Sequence, residues 1–136
     1  IFNTYGPRMY EDDYRVISNF IYRSIKNENL IIFGNGEQTR SFCYVDDLIR
    51  GVLKVASSNF KKPINLGSKE EISIYDLAKK IKKKLNSNSD IIFEKPRDGE
   101  PFRRKPNIDL AIDILDWQPE IPLDRGLELF INNLDF

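Results

Sequence analysis

The chain has 136 residues, with 21 basic and 21 acidic side chains, 40% hydrophobic residues, a single cysteine and no histidine. This length and apolar content favour a folded domain over a disordered chain, and the zero net charge lacks the basic excess of a nucleic-acid binder. We expect no membrane partner because no apolar run approaches roughly 18 residues. We expect no metal site of the histidine- or cysteine-based zinc type, because there is no histidine and only one cysteine. A lone Cys43 fits a reducing cytoplasmic location.

The first residues are apolar and prone to extended structure. Ile1 to Tyr5 predict a strand, and the pair Gly6-Pro7 ends it in a turn. A chain that opens directly on a strand, with Ile in place of Met, is expected to be part of a longer protein. Polar residues 8–15 then predict a loop, and apolar residues recur at helical spacing from Val16 to Ile25.

The next elements surround a glycine-rich turn. Leu30 to Phe33 form a short apolar run that predicts a buried strand, and residues 34–36 turn the chain after it. Ser41 to Val45 predict a second extended segment. An aspartate, Asp46 or Asp47, is then expected to cap a helix.

The second half of the chain continues the alternation of strands and helices. The predicted strands are Ile64–Leu66 and Ile91–Phe93, and the predicted helices cover residues 74–85, 108–115 and 123–134. Ser73, followed three residues later by Asp76, resembles a capping box for the first of these helices. Residues 95–106 contain three prolines and no apolar period, which predicts a long loop. The alternation predicts an α/β fold with a few short strands and about five helices.

The segment from Gly34 to Arg40 has the densest chemical signal. Gly34 and Gly36 would let backbone N–H groups approach an anion, and Arg40 carries a planar fork that fits phosphate oxygens. Because the apolar strand precedes this segment, a flat base and a charged diphosphate would fit side by side. The alternative interpretation is a simple hairpin turn with a surface arginine.

Two further segments carry polar groups. Arg103, Arg104 and Lys105 are adjacent cations that repel each other, which indicates a negative partner, although a solvated basic stretch is the alternative. Arg40 and Arg104 come from distant segments and would suit the two charges of a diphosphate. Residues 3–9 follow the first strand at the end where open α/β sheets bind ligands, with ordinary turn chemistry as the alternative.

Several motifs carry a family resemblance over essentially the whole chain. They include Asn-Thr-Tyr-Gly-Pro-Arg-Met at 3–9, Arg-Val-Ile-Ser-Asn-Phe at 15–20, Gly-Asn-Gly-Glu-Gln-Thr-Arg-Ser-Phe at 34–42 and Arg-Lys-Pro at 104–106. The chain resembles the extended short-chain dehydrogenase/reductases that act on nucleotide sugars, the NAD-dependent epimerase/dehydratase family. Within it, Gly-Pro-Arg-Met and Arg-Lys-Pro are most similar to the UDP-glucuronate decarboxylase branch.

The resemblance implies a domain organisation and a set of site residues. Residues 1–136 would be the C-terminal, substrate-binding part of a Rossmann-like protein, beginning near the last strands of its Rossmann domain. Thr4 and Arg15 would lie near NAD, most of whose binding site would be upstream, and Arg104 would be a diphosphate ligand or a general acid. The implied UDP-sugar contacts are Asn19, Ile31, Ile32, Phe33, Gly34, Gly36, Gln38, Arg40 and Arg104.

The resemblance also implies a reaction. The 4-hydroxyl of UDP-glucuronate is oxidised to a ketone, carbon dioxide leaves from the neighbouring uronate, and hydride return gives UDP-xylose. The catalytic Tyr-x-x-x-Lys pair would lie upstream, and the full-length protein would be a homodimer. The alternatives are a UDP-sugar 4-epimerase, a dTDP-glucose 4,6-dehydratase, or a nucleotide-sugar-binding module without catalysis.

Overall fold

Helices and short strands alternate along the chain in the computed structural model, which describes residues 1–134. The five helices in this range are α1 (Val16–Ile25), α2 (Val45–Ser57), α3 (Ile74–Lys84), α4 (Asp109–Leu115) and α5 (Leu123–Asn132). The strands are β1 (Thr4–Tyr5), β2 (Leu30–Phe33), β3 (Thr39–Ser41), β4 (Cys43–Tyr44), β5 (Glu71–Ser73), β6 (Ile91–Glu94) and β7 (Arg103–Arg104). The predicted α/β class is confirmed.

The strands of the described range form three small sheets. β1 pairs with β4 and β2 pairs with β6, in both cases parallel. β3 lies between β5, which runs antiparallel to it, and β7, which runs parallel. β2 and β3, which are joined by residues 34–38, therefore belong to different sheets. The glycine-rich turn redirects the chain from one sheet to another, so the alternative of a hairpin turn is wrong.

Two apolar clusters hold these elements together. The larger one joins α1, α3 and α5 to the first strands, with Phe20, Leu77 and Phe130 fully buried. The smaller one packs α2 against α4 around Trp117. The helices can share these clusters because each buries one stripe; on α3 the buried residues recur at intervals of three and four, starting from Ile74.

The start of α3 confirms Ser73 as the helix cap, although the Asp76 carboxylate accepts from the Ser73 hydroxyl and not from its backbone N–H as in a full capping box. The Ser73 hydroxyl accepts a hydrogen bond from the backbone N–H of Asp76 at 3.0 Å. That bond satisfies one of the backbone donors that a helix leaves free in its first turn. Because the motif is local, three residues suffice to predict it.

The start of α2 differs from the prediction. α2 begins at Val45, and its N-cap residue Tyr44 makes no side-chain capping bond. Asp46 and Asp47 lie inside the first turn, where their charge favours the positive end of the helix, but neither is the cap.

The Asp47 carboxylate is instead buried, at 2% exposure, and binds a distant part of the chain. One of its oxygens accepts the backbone N–H groups of Glu120 and Ile121 at 2.9 and 2.8 Å, and the other accepts from Arg50 at 2.6 Å. The Trp117 indole donates to the Asp47 carbonyl at 3.0 Å. This residue therefore ties α2 to the segment that precedes α5.

The strand predictions need three corrections. Ile64–Leu66 is not a strand; the Leu66 carbonyl accepts one backbone hydrogen bond, from Phe2 at 3.1 Å. The first strand covers only two residues, β1. The polar strands β5 and β7 were not predicted, because their extended conformation comes from pairing with β3 and not from an apolar pattern.

Candidate functional site

A cavity of about 460 Å³ lies between the ends of β1 and β2, helix α1, and the chain from Arg97 to Arg104. Its volume falls within the range of pockets that hold small organic ligands. Nine predicted site residues line it: Thr4, Arg15, Asn19, Ile31, Ile32, Phe33, Gln38, Arg40 and Arg104. Segments far apart in the sequence are therefore brought to one place.

Gly34 and Gly36 are the predicted site residues that do not line this cavity. Both have positive φ angles, 81° and 79°, and they turn the chain between the two sheets. The Gly34 N–H donates to the Glu94 carbonyl at 2.9 Å, and the Gly36 carbonyl accepts the N–H of Tyr75, near the start of α3. These glycines shape the turn and support α3, and contact of their backbone with an anion stays a prediction.

Arg40 and Arg104 are brought together by strand pairing. They are partners in the parallel register of β3 and β7. Side chains alternate between the two faces of a strand, so Arg40 and Arg104 share one face while Thr39 and Arg103 share the other. Two guanidinium groups thus line the same cavity from neighbouring strands. Like charges placed side by side in this way repel each other and favour an anion between them.

The two arginines differ in their contacts. Arg40 is only 5% exposed and donates to the carbonyls of Thr39 and Phe102, at 2.8 and 3.4 Å, and to the Glu100 carboxylate at 2.7 Å. Arg104 is exposed, and among residues 1–134 its side chain makes no hydrogen bond or ion pair. One guanidinium is therefore fixed and the other is available.

The opposite face of the same strands holds a carboxylate, Glu71 of β5. It accepts hydrogen bonds from Arg103 and from the hydroxyl of Thr39, and Lys105 lies 3.3 Å away. Hydrogen bonding from Arg103, more than any other contact, lowers the pKa of Glu71 from 4.5 to about 2. Glu71 neutralises two of the three adjacent cations and leaves Arg104 on the cavity side.

The predicted cofactor residues, Thr4 and Arg15, also line the cavity. The Thr4 hydroxyl is buried and has no hydrogen-bond partner among the described residues. Arg15 is bound to Asp13, whose hydrogen bond raises the arginine's pKa. Asn19 lies one helical turn after Arg15 on α1. An unpartnered buried hydroxyl beside a cavity is the kind of atom that a polar ligand would satisfy.

The Cys43 thiol, although close to these strands, is unsuited to nucleophilic chemistry. It is buried at the start of β4. Burial, with a smaller contribution from the negative charge of Asp47, raises the pKa of the Cys43 thiol to about 12. At neutral pH the group is a protonated thiol, which is a poor nucleophile.

Sequence reasoning missed three charged residues in the cavity wall: Arg23, Arg97 and Glu100. The Arg97 guanidinium lies 3.8 Å from the centre of the Phe33 ring, and Glu100 binds Arg40. For Arg97 and Glu100 the signal was the long loop itself, since a long segment without an apolar period, such as residues 95–106, is typical of binding loops. Arg23 lies on α1, where nothing in the sequence distinguishes it from an ordinary surface arginine. Within the described range, no helix meets the length and hydropathy of a membrane span, and no group of three potential metal ligands comes together.

The chain is similar in sequence and in backbone to known proteins. UDP-glucuronic acid decarboxylase 1 of Xenopus tropicalis is 45% identical over 132 residues, which is 97% of this chain and 31% of the relative. The chain therefore spans about a third of the length of such relatives.

The backbone of the chain is also similar to solved structures over almost its whole length. The UDP-glucuronic acid 4-epimerase of Bacillus cereus, solved with UDP-glucuronic acid and NAD, is 32% identical with a TM-score of 0.88 over 97% of this chain and 42% of its own.

A second solved structure has a still closer backbone. The UDP-glucose 4-epimerase of Thermotoga maritima, solved with UDP-glucose, has a TM-score of 0.92 at 28% identity, over 97% of this chain and 43% of that one. The sequence profile of the NAD dependent epimerase/dehydratase family matches residues 1–67. Residues 1–67 therefore match the NAD-dependent epimerase/dehydratase family, and 97% of the chain is similar to UDP-glucuronic acid decarboxylase 1.

Proposed function

We propose that this chain is the nucleotide-sugar-binding portion of an NAD-dependent enzyme that converts UDP-glucuronate to UDP-xylose and carbon dioxide. The observation that carries the proposal is the pairing of Arg40 with Arg104 on one face of neighbouring strands, beside a cavity with an apolar wall. The similarity to UDP-glucuronic acid decarboxylases over 97% of the chain supports the choice of reaction.

The diphosphate would lie between the two arginines. Arg40 is held in place before the ligand arrives, so little side-chain entropy is lost when it binds. Arg104 is exposed and can adjust to the second phosphate. Ile31 and Phe33 of β2 would contact the flat faces of the uracil, and the side-chain amide of Asn19 would hydrogen-bond a phosphate oxygen.

The proposal also assigns a role to Arg104 near the uronate. A general acid must release a proton, and an arginine side chain stays protonated in proteins. Arg104 is therefore a better electrostatic partner for negative charge than a proton donor. It would stabilise the diphosphate and the negative charge that develops as carbon dioxide leaves.

The residues that would meet NAD are Thr4 and Arg15. The unpartnered Thr4 hydroxyl fits a polar group of the cofactor, and Arg15, which is held by Asp13, lines the same cavity. When bound, NAD supplies hydride acceptance and hydride return. The sequence contains no Gly-x-Gly-x-x-Gly motif, so we propose that the cofactor's phosphates are bound outside residues 1–136.

The test is turnover of UDP-glucuronate labelled in its carboxyl group, with the protein purified from its complete reading frame. We expect labelled carbon dioxide and UDP-xylose in equal amounts, and no carbon dioxide from UDP-glucose as the control. UDP-glucuronate recovered unchanged would contradict the proposal. The 136 residues alone are expected to give no turnover, because the hydride chemistry needs a cofactor site that they do not complete.

A second candidate is a UDP-glucuronate 4-epimerase. The observation that favours it is the 32% identity and the fold match to the Bacillus cereus enzyme of that name. In that case the same experiment would yield UDP-galacturonate and keep the label in the sugar. The higher identity to the decarboxylases, 45%, makes decarboxylation the main proposal. In either case we propose that the full-length protein is a homodimer.

A further inference from the structure

The chain between β6 and β7 enters the proposed ligand site through two side chains. We call residues 96–102 the strap; Arg97 and Glu100 of this segment line the cavity. Most of the strap is exposed, and Phe102 is 64% exposed. The Phe102 carbonyl is bound to β3 through the Thr39 N–H, so the strap is anchored at that end, and Arg97 and Glu100 are the strap side chains that line the cavity.

Glu100 forms an ion pair with Arg40, the fixed arginine. Its carboxylate oxygen lies 2.7 Å from a terminal nitrogen of Arg40, and the glutamate is 38% exposed whereas the arginine is 5% exposed. Phosphate oxygens bind guanidinium N–H groups with the same planar geometry as carboxylate oxygens. A phosphate that approaches this nitrogen must therefore compete with Glu100.

Arg97 covers one face of the Phe33 ring. Its planar guanidinium lies over the Phe33 ring, 3.8 Å from the ring centre. This is the distance at which a nucleobase stacks on an aromatic side chain, and both planar groups gain from the same ring face. A base that stacks on this face of Phe33 must displace Arg97.

A tight turn joins the two contacts. The N–H of Glu100 donates to the carbonyl of Arg97 at 3.4 Å, and Gly99 between them has a φ of 74°. A glycine adopts this left-handed conformation without steric cost. The turn brings one planar group and one anion to the cavity from positions only three residues apart.

We propose that the strap occupies the nucleotide site when no ligand is bound, with Glu100 in the place of a phosphate and Arg97 in the place of the base. Nucleotide binding then displaces both side chains, and the strap competes with the ligand. This inference rests on the proposed nucleotide ligand. The inference has a distinctive consequence. Removing a side chain that competes with the nucleotide should strengthen nucleotide binding, whereas removing a side chain that contacts the nucleotide would weaken it.

The first experiment titrates UDP into the protein from the complete reading frame by calorimetry. Glu100→Gln keeps the size of the side chain and removes its charge, and we expect UDP to bind about fivefold more tightly, as for a partly exposed ion pair. Asp98→Asn is the matched control, because it removes one negative charge from the same strap outside the cavity wall, and it should leave UDP affinity unchanged.

A double-mutant cycle separates competition from a general change in charge. With Arg40→Ala in the background, Glu100→Gln should no longer tighten UDP binding, because the carboxylate then has no guanidinium to occupy. An equal gain in both backgrounds would overturn the inference. So would unchanged or weaker UDP binding by Glu100→Gln in the otherwise native protein.

The second experiment tests Arg97 with uridine, a probe without phosphate charge. Arg97→Ala should bind uridine more tightly, since the Phe33 ring face is then free. Weaker or unchanged uridine binding would overturn the base-mimicking part of the inference.

If neither wild type nor any variant binds UDP, the proposed function fails together with the proposed competition by the strap. If wild type binds UDP and Glu100→Gln binds no better, the strap alone fails.

Discussion

Arg40 and Arg104 are neighbours in paired strands, yet they have opposite surroundings. Arg40 is buried and donates to two carbonyls and one carboxylate, whereas Arg104 is exposed and free of such contacts within residues 1–134. The two arginines, although paired in register, therefore have different roles. Arg40 belongs to the scaffold as well as to the cavity, and Arg104 belongs to the cavity alone.

The difference predicts how the two residues can be separated by experiment. A group that supports the fold affects stability and binding together when it is removed, but an exposed group affects binding alone. The four variants below test this distinction, first at the arginines themselves and then at the turn and the carboxylate that position them.

Arg40→Ala is expected to have the largest effect. Without the guanidinium, the carbonyls of Thr39 and Phe102 and the Glu100 carboxylate lose their donor, so unfolding free energy should fall by about 2–3 kcal/mol. UDP binding should weaken by about 1.5–3 kcal/mol, the scale of a hydrogen bond to a charged group. Urea unfolding and calorimetry measure the two losses. Unchanged stability would show that Arg40 is not part of the scaffold.

Arg104→Ala should weaken UDP binding by about 1.5–3 kcal/mol while unfolding free energy stays within about 0.5 kcal/mol of wild type. The matched control is Arg103→Ala. This neighbouring arginine faces Glu71, outside the cavity wall, so its removal should not alter UDP affinity. Equal losses of affinity for the two variants would contradict the alternation of strand β7.

Gly36→Ala tests the turn that carries the chain from β2 to Arg40. Its φ is 79°, and an added Cβ would lie 2.9 Å from the Cβ of Tyr75. Strain and contact together should lower unfolding free energy by about 1–2 kcal/mol. Gly99→Ala is the control, since its φ is 74° but a Cβ there meets nothing within 4 Å. We expect the control to lose less stability in the same urea titration.

Glu71→Gln should have the smallest effect and should depend on pH. Because the pKa of Glu71 is lowered from 4.5 to about 2 in the folded protein, its charge stabilises the fold above pH 4.5. That contribution is lost as the pH falls from 4.5 towards 2. The difference between wild-type and variant urea midpoints should therefore be constant near neutral pH and shrink on acidification. A difference that grows on acidification would contradict this assignment.

The parts of the fold that the sequence predicts are those whose cause is local. The apolar stripe of α1 repeats within ten residues, and Ser73 meets Asp76 three residues away. Asp46 or Asp47 was expected to act locally too, as a helix cap. The structure shows that the partners of Asp47, Glu120 and Ile121, are remote in sequence. Nothing in the residues around Asp47 indicates those partners.

The candidate site likewise depends on contacts between residues that are remote in sequence. Arg40 and Arg104 were selected for their chemistry, but their shared register depends on strand β7, whose two arginines carry no strand signal. Glu100 was missed because its importance comes from the position of Arg40, sixty residues earlier. The family resemblance indicated which motifs matter. The contacts of Arg40 with Arg104 and Glu100 could be identified only from the fold, because these residues are far apart in sequence.

The Asp47 contacts have a consequence for how the chain acquires its structure. The backbone groups that satisfy this carboxylate lie 73 and 74 residues further along. During synthesis, α2 is complete long before those groups leave the ribosome, and its charge must stay in water until they arrive. The smaller apolar cluster can therefore close only late, so a nascent chain stopped before Trp117 would expose that part of its interior.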